Sequence, residues 1–401
     1  MNGNTAAAEH PAASSAPVWA AVFSMSFGVF GLVGAEFLPA SLLTPMAADL
    51  GVTEGMAGQA VTATAAMGLV ASLTVAALTR GIDRRRVLLA FSVLLVLSNL
   101  VVAFAANVQV LLLGRILLGA ALGGFWSLST AMVMRLVPAA SVPKALSIVV
   151  SGVSAATIFA APVGSYVGDL WGWRAVFAGA AGLGVIAFAI QFATLPSLPP
   201  RGRSQFGTLI KLMSRREIAL AMLAALMVFT GHMSLFTYIR PFLEGVTGIG
   251  VTGISVTLLA FGIANFLGNY LGSLLVARSL RLTLAIMPLT IGGLAFLLAG
   301  VGGTFATDLA MIALWGLAFG TVPVAWSAWI ARSLPDEAES AGGLLVAAIN
   351  LAIATGAAVG GVVLETSGIE SVFLTSGTVL VLATATILAG VATGPAVAKA
   401  A

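Results

Sequence analysis

Twelve long apolar runs, parted by short polar connections, constrain this chain more than any single residue does. From Val18 to about Ala392 the pattern recurs in units of about thirty residues, each holding the ~20 apolar positions that a helix needs to cross a hydrocarbon core. Only 8% of the 401 residues are charged and 60% are hydrophobic, whereas a soluble domain carries roughly 25% charged residues. Lipid must therefore be the solvent for most of the surface. The runs are continuous and lack the ten-residue alternation of a transmembrane barrel, so they are read as helices. The predicted spans are 18–43, 55–79, 86–106, 108–134, 144–169, 173–195, 218–241, 252–277, 282–302, 306–331, 341–366 and 371–393. The fold class is thus an all-α membrane protein with twelve transmembrane helices.

Residues 1–17 have neither a basic start nor a cleavable apolar core, so they are expected to form a disordered cytoplasmic tail. The longest polar stretch, 196–217, is expected to be a cytoplasmic linker. It divides an N-terminal six-helix bundle (18–195) from a C-terminal one (218–393), and residues 394–401 form a second cytoplasmic tail. The net charge of +4 could suggest nucleic acid, but its distribution argues otherwise. With the N-terminus inside, Arg80, Arg84, Arg85, Arg86, Arg135, Lys144, Arg278, Arg281 and Arg332 all fall in cytoplasmic loops, while Arg174 and Arg240 fall outside. This bias predicts two cytoplasmic termini and a lipid bilayer, not nucleic acid, as the partner of the basic charge. The absence of cysteine excludes disulfides and thiolate chemistry. No clustered acids and histidines or activated serine stand out, so neither an enzyme nor a metal or cofactor is expected.

The two halves repeat weakly. At an offset of 196, Gly164 falls on Gly360, Asp169 on Glu365 and Gly172 on Gly368. At 197, Gly119 and Gly123 meet Gly316 and Gly320; at 202, the stretch Glu36 to Pro39 meets Tyr238 to Pro241. Six helices per copy leave both copies facing the same way, related by an axis along the membrane normal, with a substrate cavity expected between them. Glu36 and Arg115 have uncharged partners, Tyr238 and Ile312, so their burial serves one half alone.

An intramembrane carboxylate costs ~2.5–3.5 kcal/mol on insertion scales, which directs attention to transport of protons or solute. By helical rise, Glu36 sits roughly 27 Å from the inner end of its helix and Arg115 roughly 10 Å from the outer surface. If their helices touch, each lowers the other's cost of burial. Protonation of Glu36 would then release Arg115 and let the halves rearrange; a static ion pair or a snorkelling carboxylate is the competing account. His232 has the pKa range of a relay, but a hydrogen bond to a neighbouring helix is the preferred reading. Asn265 and Asn350 lie near the midplane and are the candidate solute contacts, while Gln59 and Asn269 are expected to be structural. Phe125 and Trp126, which follow Gly123 and Gly124, could cover a planar ligand.

The run Gly114-Arg115-Ile116-Leu117-Leu118-Gly119 resembles the fourth-helix arginine motif of the major facilitator superfamily. Pro162-Val163-Gly164, with Gly168 and Gly172-Trp173-Arg174, resembles the fifth-helix signature of its drug:proton antiporters. Glu36-Phe37-Leu38-Pro39 resembles the first helix of bacterial sugar and nucleoside efflux carriers. Longer stretches, among them EFLPASLLTPMAADLGVTEGMAGQ and VPVAWSAWIARSLPDEAESAG, are similar to the bacterial purine ribonucleoside efflux pumps. The resemblance implies two six-helix bundles of the major facilitator fold, monomeric, exporting nucleosides such as inosine and guanosine against protons across a cell inner membrane. A sugar or multidrug efflux antiporter of the same fold is the alternative. In the loop between helices two and three the superfamily's acid and glycines are missing: Arg80 replaces the Asp and Asp83 the second Gly, leaving Arg84 and Arg85. A gating role for that loop would then run through Asp83, Arg84 and Arg85.

Overall fold

The computed structural model describes residues 18–199, 214–334 and 337–391. Both expected tails and most of the expected linker lie outside them. The helices are α1 (Trp19–Leu50), α2 (Glu54–Leu78), α3 (Arg84–Ala103), α4 (Val108–Leu136), α5 (Val142–Trp171), α6 (Trp173–Thr194) and α7 (Arg216–Thr237). There follow the short α8 (Ile239–Gly245), then α9 (Val251–Arg278), α10 (Leu280–Val301), α11 (Phe305–Ser333), α12 (Ala338–Ser367) and α13 (Ile369–Gly390). Among the described residues twelve helices are long and apolar enough to cross a membrane. The chain is a multi-pass membrane protein.

Local chemistry sets several boundaries. Thr53, Asp83, Asn107 and Ser279 accept backbone N–H bonds at the starts of α2, α3, α4 and α10, as short polar side chains do at helix N-termini. Gly172 and Gly368 each close one helix and open the next, with φ of 81° and 85°. Those values favour glycine, which explains why this pair stands in register in the sequence repeat.

Two spans differ from expectation. Helix α1 continues to Leu50, past the predicted end at residue 43, through Pro39 and Pro45. The seventh span is broken at Tyr238, whose φ and ψ of −108° and 19° separate α7 from α8. Pro241 offers no N–H to Thr237, the last residue of α7, so the helix has a reason to stop there.

The halves are built alike. In the first, α2 packs on α4, α1 on α5 and α3 on α6; in the second, α9 packs on α11, α7 on α12 and α10 on α13. Contact between the halves runs chiefly through α2 with α12 and α5 with α9. A Cβ on Gly119 or Gly123 would overlap the carbonyls of Thr64 or Gly68, and one on Gly316 or Gly320 those of Phe261 or Asn265. Lipid supplies no hydrophobic drive for helix association, so close backbone approach at small residues takes its place. The aligned glycine pairs therefore do the same work twice.

Candidate functional site

The site begins with the prolines of α1. Pro39 has no N–H, so the carbonyl four residues earlier, on Ala35, loses its helical partner. The fully buried Arg115 of α4 supplies one: its Nη1 donates to the Ala35 oxygen at 2.8 Å. Its Nε donates to the Ala60 oxygen of α2 at 3.3 Å and its Nη2 to the Glu36 oxygen at 3.4 Å. One guanidinium thus holds three helices at the point where α1 carries Glu36.

This geometry corrects the expected ion pair. Among the described residues the ion pairs are Arg174 with Asp49, Arg215 with Glu337 and Arg240 with Glu244, and Glu36 is in none of them. The guanidinium has been drawn to the unbonded carbonyl instead. Its charge still reaches the half-buried Glu36 carboxyl through space.

Pro45 repeats the device. It frees the carbonyl of Ser41, which accepts from Arg240 Nη1 at 2.5 Å. Arg240 comes from α8 in the opposite half, and its Nε donates to Glu244 at 2.7 Å. The charge pattern puts Arg240 on the outer side, at the end of the predicted span 218–241, and it is only 6% exposed. Nearby, Thr53 donates to Glu365 across the halves, Thr44 donates to Glu54 at 2.8 Å, and Tyr238 donates to the Ala357 oxygen at 2.7 Å. Phe37, next to Glu36, meets Phe236 edge-on at 5.5 Å. Two hydrogen bonds join the halves here, Arg240 to Ser41 and Thr53 to Glu365. Both lie toward the end of the bundle that carries the α1–α2 turn, and they fasten the halves there.

Phe236 also belongs to an aromatic cluster in the second half. Trp315 Nε1 donates to His232 Nδ1 at 3.0 Å, and Phe236, Phe261 and Phe319 surround the imidazole. His232 is bonded to a neighbouring helix, as the sequence reading preferred.

The remaining candidates are scattered. Asn265 Nδ2 donates to the Gly316 oxygen at 3.4 Å, in the contact of α9 with α11. Asn350 Nδ2 donates to Val346 of its own helix at 3.0 Å, and its Oδ1 lies against Gly68 of α2. Both amides are buried and part of their hydrogen-bonding capacity is spent on helix backbones. Phe125 is buried in the core of the first half, edge-on to Trp126, which alone of the two is partly exposed.

Asp83, Arg84 and Arg85 form a clamp within the first half. Asp83 accepts from the N–H of Arg85 at 2.8 Å, from the N–H of Leu198 at 3.0 Å and from the Ser197 hydroxyl. Burial pushes its carboxyl up, but these bonds and the charge of Arg86 outweigh that and leave it below the ordinary aspartate value. Arg84 donates to the Thr79 oxygen at 2.8 Å, and Arg85 to the Phe192 oxygen at 2.7 Å. Among the described residues these contacts join the α2–α3 loop to α6 and the segment after it, and none reaches the second half.

Two helical halves built on one plan and fastened at one end, with a buried arginine tying three helices of the first half beside a carboxyl, define a polytopic carrier. The family model of the Major Facilitator Superfamily matches residues 19–345. The chain belongs to that superfamily and is a membrane transporter. It is 48% identical over 368 residues to the "Purine ribonucleoside efflux pump NepI" of Escherichia coli (strain K12), covering 91% of this chain and 92% of that protein. The protein of the same name from Shigella flexneri matches equally well. Among solved structures, a bacterial homologue of the human lysosomal transporter Spinster, inward-facing and unoccupied, has a TM-score of 0.75 at 14% identity over 93% of this chain and 96% of that one. The nucleoside transporter NupG has a TM-score of 0.75 at 15% identity over 93% and 99%. At such identities the two solved structures bear on the fold alone.

Proposed function

We propose that this transporter exports purine ribonucleosides, inosine and guanosine among them, from the cytoplasm in exchange for protons. It does so as a monomer in the cell inner membrane with both termini cytoplasmic. The observation that carries the substrate is the 48% identity, spread over 91% of the chain, to pumps bearing that name. A base offers a flat face and polar edges, which suits a cavity of aromatic and amide groups; Trp126, Asn265 and Asn350 are the groups proposed to meet it.

Glu36 is the proposed proton acceptor. When it is ionised, the fixed charge of Arg115 favours the carboxylate; when it is neutral, that attraction is lost. Glu36 sits one residue from Phe37 and five from Ser41, two of the points at which α1 touches the second half. A change of charge there is well placed to bias the fastened end toward opening. The basic loops lie at the other end; with these on the cytoplasmic side, the fastened end is the one proposed to face outward. One proton moving through 100 mV yields ~2.3 kcal/mol, which supports roughly a fortyfold gradient of a neutral solute. One carboxyl is therefore energetically sufficient.

Radiolabelled inosine counterflow in proteoliposomes with imposed pH gradients tests the proposal. Inosine uptake driven by an opposing proton gradient is expected. Transport of a sugar or an amphiphilic drug with no inosine flux would transfer the assignment to those efflux classes.

A further inference from the structure

Outside the proposed transport path, a groove of about 750 Å³ opens between α5 and α6 with α1 as its floor. Phe23, Phe27 and Phe30 of α1, Phe159 of α5 and Ile190 of α6 make its walls apolar, and the small Ala155 leaves room between them. Phe23 is 59% exposed and Phe159 50%, so this surface faces the hydrocarbon. From Ala20 to Phe30 the groove follows ten residues of α1, about 15 Å at 1.5 Å per residue. That is half of a ~30 Å hydrocarbon core, the depth of one leaflet.

The mouth of the groove is charged. Lys144 lies on the same stripe of α5 as Ser151, Ala155 and Phe159, at helical spacings of seven, eleven and fifteen residues. Its Nζ sits 5.2 Å from the ring centroid of Trp19, the residue before groove-lining Ala20. Among the described residues Lys144 has no carboxylate partner. Trp and Lys together mark the headgroup level of a bilayer. This end of the bundle also carries the Arg84–Arg86 run and Arg278, Arg281 and Arg332, a surface complementary to anionic lipid.

We propose that this groove is a binding site for an anionic phospholipid of the leaflet facing the basic loops, with an acyl chain along α1 and the headgroup phosphate on Lys144. The site is independent of what the transporter carries. Ordinary annular lipid would cover the groove without regard to headgroup, so headgroup preference is the distinguishing property.

Native mass spectrometry of the detergent-solubilised full-length protein, titrated with phosphatidylglycerol or with phosphatidylcholine of identical chains, tests it. The wild type is expected to retain phosphatidylglycerol in preference. Lys144→Gln should weaken that retention about fivefold, the value of one basic residue at an anionic surface, and Lys144→Arg should restore it. Ala155→Phe, which fills the groove, should displace the lipid, whereas Arg86→Gln at the same basic end should not. Melting measured alongside shows whether each variant is folded. Equal retention of the two lipids, or unchanged retention in folded Lys144→Gln and Ala155→Phe, overturns the proposal. A dimer that holds no lipid would also overturn it, by placing a second copy in the groove.

Discussion

The guanidinium of Arg240 reaches from the second half of the molecule to the carbonyl of Ser41 in the first, at 2.5 Å, where Pro45 has left that carbonyl without a helical donor. A helix defect in one half has become a fastening point for the other. The bond can be broken without unfolding either bundle, which distinguishes it from the Arg115 bonds inside the first half.

Replacing Arg240 should therefore shift a conformational equilibrium. A buried carbonyl left unsatisfied costs about 1–3 kcal/mol, so Arg240→Ala is expected to increase the population open at the α1–α2 end by about tenfold or more. The chain has no cysteine of its own, so Phe37→Cys can be added as a single reporter. Its labelling by a membrane-impermeant maleimide from outside should speed up when Arg240→Ala is present.

Arg115 and Pro39 should be coupled energetically. Arg115→Ala removes the donor for Ala35, and Pro39→Ala gives that carbonyl back an N–H from its own helix. The double variant should melt at a higher temperature than the sum of the single effects allows, by an interaction of about 1 kcal/mol. Strict additivity in a thermal denaturation cycle would mean that Arg115 acts on α1 through something other than the orphaned oxygen.

Glu36→Gln keeps the side chain's shape and removes its titration. Counterflow of inosine at equal pH should persist, while accumulation driven by a pH gradient should collapse from as much as roughly fortyfold to none. If gradient-driven accumulation survives, the proton is carried elsewhere.

Asp83 makes a prediction about pH. A carboxyl depressed on folding contributes stability fully above its unfolded value, and that contribution fades as pH falls through the folded value. Asp83 lies below its ordinary 3.8, so Asp83→Asn should lower the melting temperature at neutral pH. The difference from wild type should shrink as the pH is taken below about 3.8.

Glycine contacts can be ranked by space. Gly123→Ala and Gly320→Ala would drive a methyl into a backbone carbonyl, whereas Gly182→Ala and Gly293→Ala would meet nothing within 4 Å. The first pair is expected to cost about 1–3 kcal/mol each and to reduce the monodisperse fraction in gel filtration. The second pair should be neutral.

The spans were legible because lipid imposes one requirement on every crossing, a run of apolar residues long enough to satisfy its own backbone. The repeat was legible where glycine had a geometric duty, as at Gly172 and Gly368 or at Gly123 and Gly320. The end of α1 was not legible: the apolar run stops at residue 43, whereas the helix continues through Pro39 and Pro45 to Leu50. Nothing local to them says that arginines 76 and 195 residues further on will replace the lost donors.

The charge pattern places Arg240 on the outer side and Arg115 opposite Glu36, but sequence records a residue's type and depth and not the atom it meets. Nor does it show that Asn265 and Asn350 each give part of their amide to a helix backbone. Composition and periodicity by themselves determined the solvent, the number of crossings and the duplicated plan, because each is a sum over many residues. Which carbonyl takes which guanidinium, and which end of the bundle is fastened, was decided only in the tertiary structure, where single contacts between distant segments compete for a few donors.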